Sequence, residues 1–205
     1  MNPEDHAELA RALCATCRRL GDRGWCSATS GNFSVRIDDR HSLITRSGRQ
    51  KSRLSVDDLM VCGFDGKPAD PACTPSAETP LHHCLYQLDD GIGAVLHTHS
   101  VSATLLSKHA GDAVAITGFE MQKALAGITS HEATLSVRVF ANDQDMSRLS
   151  DRVRDAWSSI DAPGFLIAGH GLYAWGRDID EAERHTEGFE FLFDCLWQER
   201  LAGLS

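Results

Sequence analysis

The sequence predicts an α/β fold in which helices cover a mixed, mostly antiparallel sheet. Segments with the period of strands alternate with segments with the period of helices along the whole chain. Several neighbouring strands are joined by connections too short for a parallel crossover, so those strands are expected to run antiparallel. The 205 residues, 42% of them hydrophobic and 24% charged, fit one domain over residues 1–205 with a sizeable core.

The N-terminal half is predicted to hold two helices and four strands. Apolar residues recur at helical spacing in the first segment, whereas the strands are short apolar or alternating runs bounded by turn residues. The stretch "GAVLHTH" is apolar enough for a buried strand and ends in polar residues. In chain order, these elements are a helix at 3–20, strands at 30–37, 41–47 and 59–64, a helix at 76–88 and a strand at 93–99.

The C-terminal half continues the alternation of helices and strands. "ATLSVRVFA" is the segment richest in β-branched residues, and Asp178 is a cap directly before the longest amphipathic segment. "GFLIAGHGLYAWG" suits two strands that meet at a Gly-His-Gly turn. The predicted elements are a helix at 101–109, a strand at 113–119, a short helix at 120–127, a strand at 133–141, a helix at 143–160, two strands within 164–176 and a helix at 178–201.

Charge and cysteine content restrict the class of function. A formal net charge of −9 argues against a general attraction to nucleic acid or to an anionic membrane, so neither partner is expected. The seven cysteines are an odd number, and the N-terminus lacks a basic-then-apolar signal pattern, which together favour a reduced protein of the cytoplasm. Neither a GxGxxG nor a GxxxxGK[ST] motif is present, which argues against a dinucleotide or P-loop site.

Three histidines are candidates for a metal site. His97 and His99 are one residue apart at the end of the buried strand, so a period of two sends both rings to one face. His170 stands between two glycines at another strand end, where the backbone can approach a ligand closely. Three neutral imidazoles with one open position make a catalytic Zn²⁺ site, and histidines bonded to backbone carbonyls are the structural alternative.

Other metal-binding residue types form weaker patterns. His82 and His83 are adjacent on a predicted helix and diverge by about 100°, so they do not easily bind one ion. Glu78 and His82 have the i,i+4 spacing of a shared helix face, which is most often a surface feature. Cys14 and Cys17 match CxxC without a second pair, so packing as small apolar side chains is the favoured interpretation.

Two turns rich in Ser and Gly are candidates for binding an anion. "TSGN" (29–32) and "SGRQK" (47–51) present backbone N–H groups and hydroxyls at the ends of predicted strands. The second turn lies within "RSGRQKSR", a basic stretch in an acidic chain, which indicates either a phosphorylated ligand or a solvated loop tip. Ser76 is either a further donor or the cap of the following helix.

Two carboxylates stand near these candidates in the predicted fold. Glu120 follows the strand at 113–119, which is expected to bring it to the same end of the sheet as His97 and His99. A carboxylate near a metal-bound substrate can move protons at carbon when burial tunes its pKa toward neutrality. The alternative for Glu78 and Glu120 is an acid placed at a helix N-terminus, which the macrodipole favours.

Six motifs, taken together, resemble the class II aldolase and adducin family. They are "TSGNFSVRI", "ITRSGRQKSRL", "PSAETPLH", "VLHTHS", "GFEMQKALAG" and "AGHGLYAWGRDIDEA", which occur in family order over roughly residues 5–200. The resemblance implies a three-layer α/β domain, usually assembled as a C4 homotetramer with sites near the subunit interfaces. It also implies a small phosphorylated ketose as the substrate.

The resemblance assigns roles to single residues of this sequence. It implies one Zn²⁺ per subunit, held by His97, His99 and His170, and it gives Glu120 the part of acid and base. Glu78 matches a metal-approaching glutamate of the family's aldolases, so it is expected to complete the metal shell or to assist proton transfer. The phosphate and substrate contacts that it implies are Ser30, Gly31, Asn32, Ser47, Gly48, Lys51 and Ser76.

Within the family, "SGRQKSRL", "EMQKALAG" and the C-terminal "HGLYAWGRDIDEAERHTEGFEFLFDC" are most similar to the branch that dehydrates a 1-phospho-2-ketose. In that reaction Glu120 is expected to remove the C3 proton and then to help the C4 hydroxyl leave as water. An aldolase or 4-epimerase that acts on the same kind of substrate is the first alternative. A non-catalytic, adducin-like interaction domain is the alternative from another class.

Overall fold

The strands of the protein form one mixed sheet, which a computed structural model describes over residues 1–204. The strands are β1 (Asn32–Arg36), β2 (His41–Thr45), β3 (Leu59–Gly63), β4 (Ala94–Thr98), β5 (Ala113–Ile116), β6 (Leu135–Phe140), β7 (Gly164–Ile167) and β8 (Gly171–Gly176). Their order in the sheet is β3-β2-β1-β4-β8-β7-β6-β5. Within the described residues, β6 and β7 pair in parallel and every other neighbouring pair is antiparallel. The mostly antiparallel sheet expected from the short connections is confirmed.

Helices cover both faces of the sheet and give the fold three layers. The helices are α1 (Ala7–Asp22), α2 (Thr79–Leu88), α3 (Val101–His109), α4 (Met146–Ala156) and α5 (Ile179–Leu201). Apolar residues of α1, α3 and α5 pack on one face, for example Leu13 and Phe193, and those of α2 and α4 pack on the other. Because side chains alternate along a strand, β4 sends Leu96 to the first face and Val95 to the second.

Local capping explains where the helices begin. The Asp178 carboxylate accepts a hydrogen bond from the Glu181 backbone N–H, as expected of the cap before α5. The helix expected at 143–160 is shorter, because Asp145 caps α4 and the segment after α4 continues as a 3₁₀ turn. The helix expected at 76–88 begins at Thr79, since Ser76 and Glu78 belong to the turn before it.

The direction of β5 differs from the expectation and moves Glu120. β4, β7 and β6 run in one direction, whereas β5 pairs antiparallel with β6 and runs in the opposite one. The C-terminal end of β5 therefore lies at the opposite end of the sheet from the C-terminal end of β4. The expectation that Glu120 would lie at the same end as His97 within one chain is wrong.

None of the helices within residues 1–204 combines the length and the apolar character that crossing a membrane would require.

Candidate metal centre

Four side chains from separate parts of the chain converge where β4 ends and β8 begins. Glu78, His97, His99 and His170 each offer one ligand atom, and these atoms all lie within 4.8 Å of one another. The three histidines that the sequence singled out are brought together, and the carboxylate that it treated as auxiliary is the fourth member. We call this set the four-residue cluster.

The backbone of the central strands explains why the histidines meet. His97 lies on β4 opposite Tyr173 of β8, and His99 follows β4 with its N–H donated to the Trp25 carbonyl at 2.7 Å. Gly171 has no room for a side chain, because a Cβ there would lie 2.0 Å from the Thr98 carbonyl oxygen. The close approach of β8 to β4 at this glycine places His170 beside His97.

One hydrogen bond fixes the tautomer of His97. Its Nδ1 lies 2.8 Å from the Leu172 carbonyl oxygen, which can only accept, so Nδ1 carries the proton. The Nε2 atom is then unprotonated, and it lies 3.3 Å from Nε2 of His170 and 3.2 Å from Oε2 of Glu78. The ring also stacks on Tyr173, with the two centroids 4.0 Å apart. An oriented imidazole with a bare Nε2 is the usual form of a metal ligand.

Glu78 is held in place by hydrogen-bond donors. Its Oε2 accepts from the Asn32 amide at 2.5 Å and from the Tyr173 hydroxyl at 3.2 Å, and its Oε1 lies 2.9 Å from His170 Nε2. Burial opposes ionisation, yet the pKa of the Glu78 carboxyl lies well below its ordinary value because His170 and the Asn32 amide face its oxygens. Glu78 is therefore a carboxylate, which is the form that binds a cation.

Burial keeps the imidazoles of His97 and His99 neutral. It lowers the pKa of His97, and it lowers the pKa of His99 to about 4, in both cases because a charged ring would lose solvation. Neutral imidazoles and a carboxylate are ligands that suit a divalent transition metal. The chemistry of the four-residue cluster therefore fits a metal ion.

The two Ser- and Gly-rich turns are tied together by a buried lysine. The Lys51 ammonium donates to the carbonyl of Thr29 at 3.1 Å and to that of Arg49 at 2.7 Å, which joins residues 29–32 to residues 47–51. Only 1% of Lys51 is exposed, and burial lowers the pKa of its ammonium. Lys51 is thus a cation beneath both turns rather than part of a solvated loop tip.

The turn at 29–32 packs directly against the four-residue cluster. Gly31 has a φ of +76°, and a Cβ there would lie 2.7 Å from the His97 carbonyl oxygen. The Ser30 hydroxyl has no hydrogen-bond partner within the described residues, so it can donate to a ligand. Asn32 differs from the expectation, since its side-chain amide is already donated to Glu78.

The second turn is more open. Ser47 and Gly48 are exposed, and the Ser47 N–H donates to the Thr74 carbonyl at 3.4 Å, which brings the segment that carries Ser76 alongside. The Ser76 hydroxyl accepts from the Glu78 N–H at 3.3 Å within the turn before α2, so Ser76 is not the cap of this helix, whose N-cap residue is Glu78. This bond leaves the Ser76 hydroxyl proton free for another acceptor.

Glu120 stands apart from the four-residue cluster of its own chain. Its side chain is 70% exposed and pairs with Lys123 at 2.7 Å, in the 3₁₀ turn at Glu120–Ala124. The bond from Lys123 lowers the pKa of the Glu120 carboxyl, in contrast to the tuning toward neutrality expected from burial. Within one chain, Glu120 is therefore not among the described side chains that meet at the cluster.

Sequence reasoning missed the polar network behind Glu78. His82 is fully buried and bonds to Asn32 and Ser34, and its neighbour His83 bonds to Ser42. Both histidines are core residues, whereas the spacing of Glu78 and His82 predicts a surface feature. The signal that was available is the i,i+4 spacing of Glu78 and His82, which puts both side chains on one face of α2.

Comparisons with known proteins find relatives over most of the chain. The family model for the class II aldolase and adducin N-terminal domain matches residues 11–197. A methylthioribulose-1-phosphate dehydratase of Serratia proteamaculans is 48% identical over 93% of this chain and 95% of its own length. One of Stenotrophomonas maltophilia is 52% identical over 96% of this chain and 93% of its own length. The crystal structure of L-fuculose-1-phosphate aldolase from Thermus thermophilus superposes with a TM-score of 0.78 at 28% identity, covering 97% of this chain and 98% of the other.

Proposed function

The chain belongs to the class II aldolase and adducin family, and we propose that it dehydrates 5-methylthioribulose 1-phosphate to 5-methylthio-2,3-dioxopentyl phosphate. Such a hydro-lyase step belongs to methionine salvage. The observation that carries the proposal is the four-residue cluster beside a turn with a free hydroxyl and a buried ammonium, in a chain about half identical to named dehydratases. We further propose that the chain is one domain over residues 1–205 and works as a cytoplasmic homotetramer.

The metal of this proposal is zinc, one ion per subunit, held by His97, His99 and His170 with Glu78 beside them. When bound, it supplies Lewis acidity toward the C2 carbonyl oxygen and so acidifies the C3 hydrogen. The fixed tautomer of His97 and the ionised Glu78 support this assignment. Fe²⁺, Co²⁺ and Mn²⁺ accept the same ligands, so metal analysis of the protein purified from its native host tests the choice of zinc.

The two turns tied by Lys51 are proposed to hold the phosphate. Their contacts would come from backbone and hydroxyl donors and from the ammonium, and the residues are Ser30, Gly31, Asn32, Ser47, Gly48, Lys51 and Ser76. Asn32 contributes only through its backbone, since its side chain is engaged with Glu78. Binding the phosphate here would set the register of the sugar, because the turn at 29–32 packs against His97.

Glu120 remains the proposed acid and base, and it is proposed to act on the site of a neighbouring subunit. Its exposure and its place at the far end of the sheet support this arrangement, because an interface could bring it to another copy's cluster. There it would remove the C3 proton and later protonate the leaving C4 hydroxyl. Burial in the interface would raise its pKa toward the value that this work requires.

Incubation of the protein with 5-methylthioribulose 1-phosphate tests the reaction. The proposal expects the absorbance of a diketone to appear and to depend on the metal. L-Fuculose 1-phosphate and ribulose phosphates are the matched alternative substrates, since the solved structure at 28% identity is an aldolase for the first of them. Dihydroxyacetone phosphate, glycolaldehyde phosphate or an epimer without diketone would identify an aldolase or epimerase, and inertness toward all of them would favour an interaction domain.

Two inactive variants test the placement of Glu120. Glu120→Gln is expected to keep the metal and the fold and to lose turnover by at least 100-fold, as removal of an acid or base does. His97→Ala is expected to lose stoichiometric metal. If Glu120 acts across subunits, random mixed oligomers of the two variants regain about a quarter of the wild-type sites, because half the clusters are intact and half their neighbours supply Glu120. Near-normal turnover by Glu120→Gln alone would refute its role, and mixed oligomers without activity would refute its action across subunits.

A further inference from the structure

Behind Glu78, a line of buried polar side chains runs away from the four-residue cluster. The Asn32 amide donates to Glu78 Oε2 at 2.5 Å, and the Asn32 oxygen contacts Nε2 of His82. On the other side of that ring, Nδ1 lies 2.7 Å from the Ser34 hydroxyl, which lies 2.7 Å from the Tyr86 hydroxyl. We call Asn32, His82, Ser34 and Tyr86 the Asn–Tyr chain.

The periods of a strand and a helix build this chain. Asn32 and Ser34 are two residues apart on β1 and so point to the same face. Glu78, His82 and Tyr86 follow at intervals of four residues and so share one face of α2, which begins directly after Glu78. The two elements therefore interdigitate polar side chains over two turns of the helix. Asn32 is 5% exposed and the other three members of the chain are fully buried.

Each hydrogen bond in the chain has one allowed direction. The structure places the NH₂ group of Asn32 against Glu78 Oε2, which accepts its hydrogen bond, and the Asn32 oxygen against Nε2 of His82. That oxygen also can only accept, so His82 must carry its proton on Nε2.

The same reasoning continues to the end of the chain. Burial lowers the pKa of His82 to about 3, so the ring is neutral and its Nδ1 is bare. Ser34 must then donate to Nδ1, and Tyr86 must donate to Ser34.

We propose that the Asn–Tyr chain is a proton-ordered positioning device, in which the Nε2–H tautomer of His82 holds the Asn32 amide so that its NH₂ group fixes Glu78 at the metal centre. The proposal rests on the proposed function only in that Glu78 faces the metal. It makes the Asn32 side chain a positioning group rather than a substrate contact. Water does not reach these buried side chains. When one of them is removed, water cannot replace its hydrogen bonds, so the remaining partners are left unsatisfied.

The tautomer of His82 is the direct test. Long-range ¹H–¹⁵N NMR of the wild-type protein, with the His82 signals identified by their loss in His82→Gln, is expected to show protonated Nε2 and bare Nδ1. A proton on Nδ1, or an even mixture of the two tautomers, would overturn the proposal. This measurement needs neither substrate nor turnover, so it stands whether or not the protein is a dehydratase.

Metal affinity, measured by chelator competition, tests the positioning role. Asn32→Asp replaces the donor facing Glu78 by an acceptor with almost no change in shape, and we expect a loss of affinity of about 10- to 100-fold. Ser34→Ala removes the donor to His82, and we expect a smaller loss of about three- to tenfold. Tyr86→Phe, at the far end, is expected to cost less than either.

Ser42→Ala is the matched control. Ser42 and His83 form a similar buried pair, with the Ser42 hydroxyl 2.9 Å from Nε2 of His83, but no bond within the described residues connects them to Glu78. We expect Ser42→Ala to lower the free energy of unfolding by about as much as Ser34→Ala and to leave metal affinity unchanged. Equal loss of metal affinity in both serine variants, or none in Asn32→Asp, would show that the Asn–Tyr chain is merely structural.

Discussion

Two carboxyl groups lie on opposite faces of the end of β4, and their pKa values are shifted in opposite directions. Glu78 lies on the α2 face beside His97, and Glu190 of α5 lies on the other face, where the Thr98 hydroxyl donates to its Oε1 at 2.5 Å. Glu78 accepts from two side chains and faces His170, whereas Oε2 of Glu190 has no hydrogen-bond partner within the described residues. The first carboxyl has a lowered pKa, and the pKa of the second is raised to about 7 by burial.

The difference shows that burial alone does not decide the charge of a carboxyl group, since the groups that face its oxygens can outweigh burial. Burial raises the pKa of both carboxyls. At Glu78, His170 and the Asn32 amide outweigh burial, whereas at Glu190 the hydroxyls of Thr98 and Ser100 do not. Thr98 lies between His97 and His99, so the alternation of the strand turns it away from the cluster and toward Glu190. One strand thus presents candidate metal ligands on one face and supports a protonatable group on the other.

The largest expected effect separates the two carboxyls by their influence on the metal. His97→Ala, which removes a ligand, is the reference for complete loss of stoichiometric metal. Glu78→Gln keeps the size of the side chain but removes its charge, and we expect metal affinity to fall by at least about 10- to 100-fold. Glu190→Gln is expected to leave it unchanged, because this carboxyl lies on the other face of β4. Chelator competition measures the metal affinity of all three variants. Similar losses for both glutamine variants would contradict the conclusion that only Glu78 acts on the metal.

The second effect is the pH dependence of stability that Glu190 imposes. Its folded-state pKa of about 7 lies above the ordinary 4.5, so the folded protein holds a proton that the unfolded chain releases between these values. The free energy of unfolding therefore falls as pH rises through this window, by about 3 kcal/mol. Glu190→Gln removes this loss. In urea unfolding, the free energy of unfolding of the variant relative to that of the wild type should therefore increase from about pH 5 to pH 8.

The control for this experiment lies one turn earlier on α5. Glu187 is half-exposed and pairs with Arg23, so Glu187→Gln should give a stability profile parallel to that of the wild type over the same pH range. A parallel profile for Glu190→Gln as well would mean that Glu190 ionises like an exposed carboxyl.

The smallest effect concerns one donor to Glu78. Tyr173→Phe keeps the ring that stacks on His97 and removes the hydroxyl that donates to Glu78 Oε2 at 3.2 Å. Because the Asn32 donor remains, we expect a loss of about 1 kcal/mol, or roughly fivefold in metal affinity, by the same competition assay. A loss as large as that of Glu78→Gln would mean that one hydroxyl, rather than the set of donors, holds this carboxylate.

The parts of the site that follow from local periodicity were predictable from the sequence. The same-face placement of His97 and His99 needs only the period of a strand, and the glycines beside His170 indicate a close backbone approach. The direction of β5 depends instead on its pairing with β6, which an apolar pattern does not encode. Glu120 was misplaced within the chain for that reason.

The buried polar network behind Glu78 could not be predicted from sequence patterns for another reason. The role of Asn32 depends on which of its two amide atoms faces Glu78, and that in turn depends on His82, fifty residues away in the chain. A Ser-Gly-Asn turn predicts an anion site from its own residues alone. It contains no signal that one side chain is engaged elsewhere.

The separation of the cluster along the chain has a consequence for folding. His97 and His170 are 73 residues apart and meet only when β8 has paired with β4, so the complete four-residue cluster does not exist in the unfolded chain. Metal binding at this cluster would therefore stabilise the folded chain. The free energy of unfolding would rise by about 4 kcal/mol when free metal is a thousandfold above its dissociation constant. Cells short of the metal would lose not only the reactive centre but also part of the margin that protects this chain from unfolding and proteolysis.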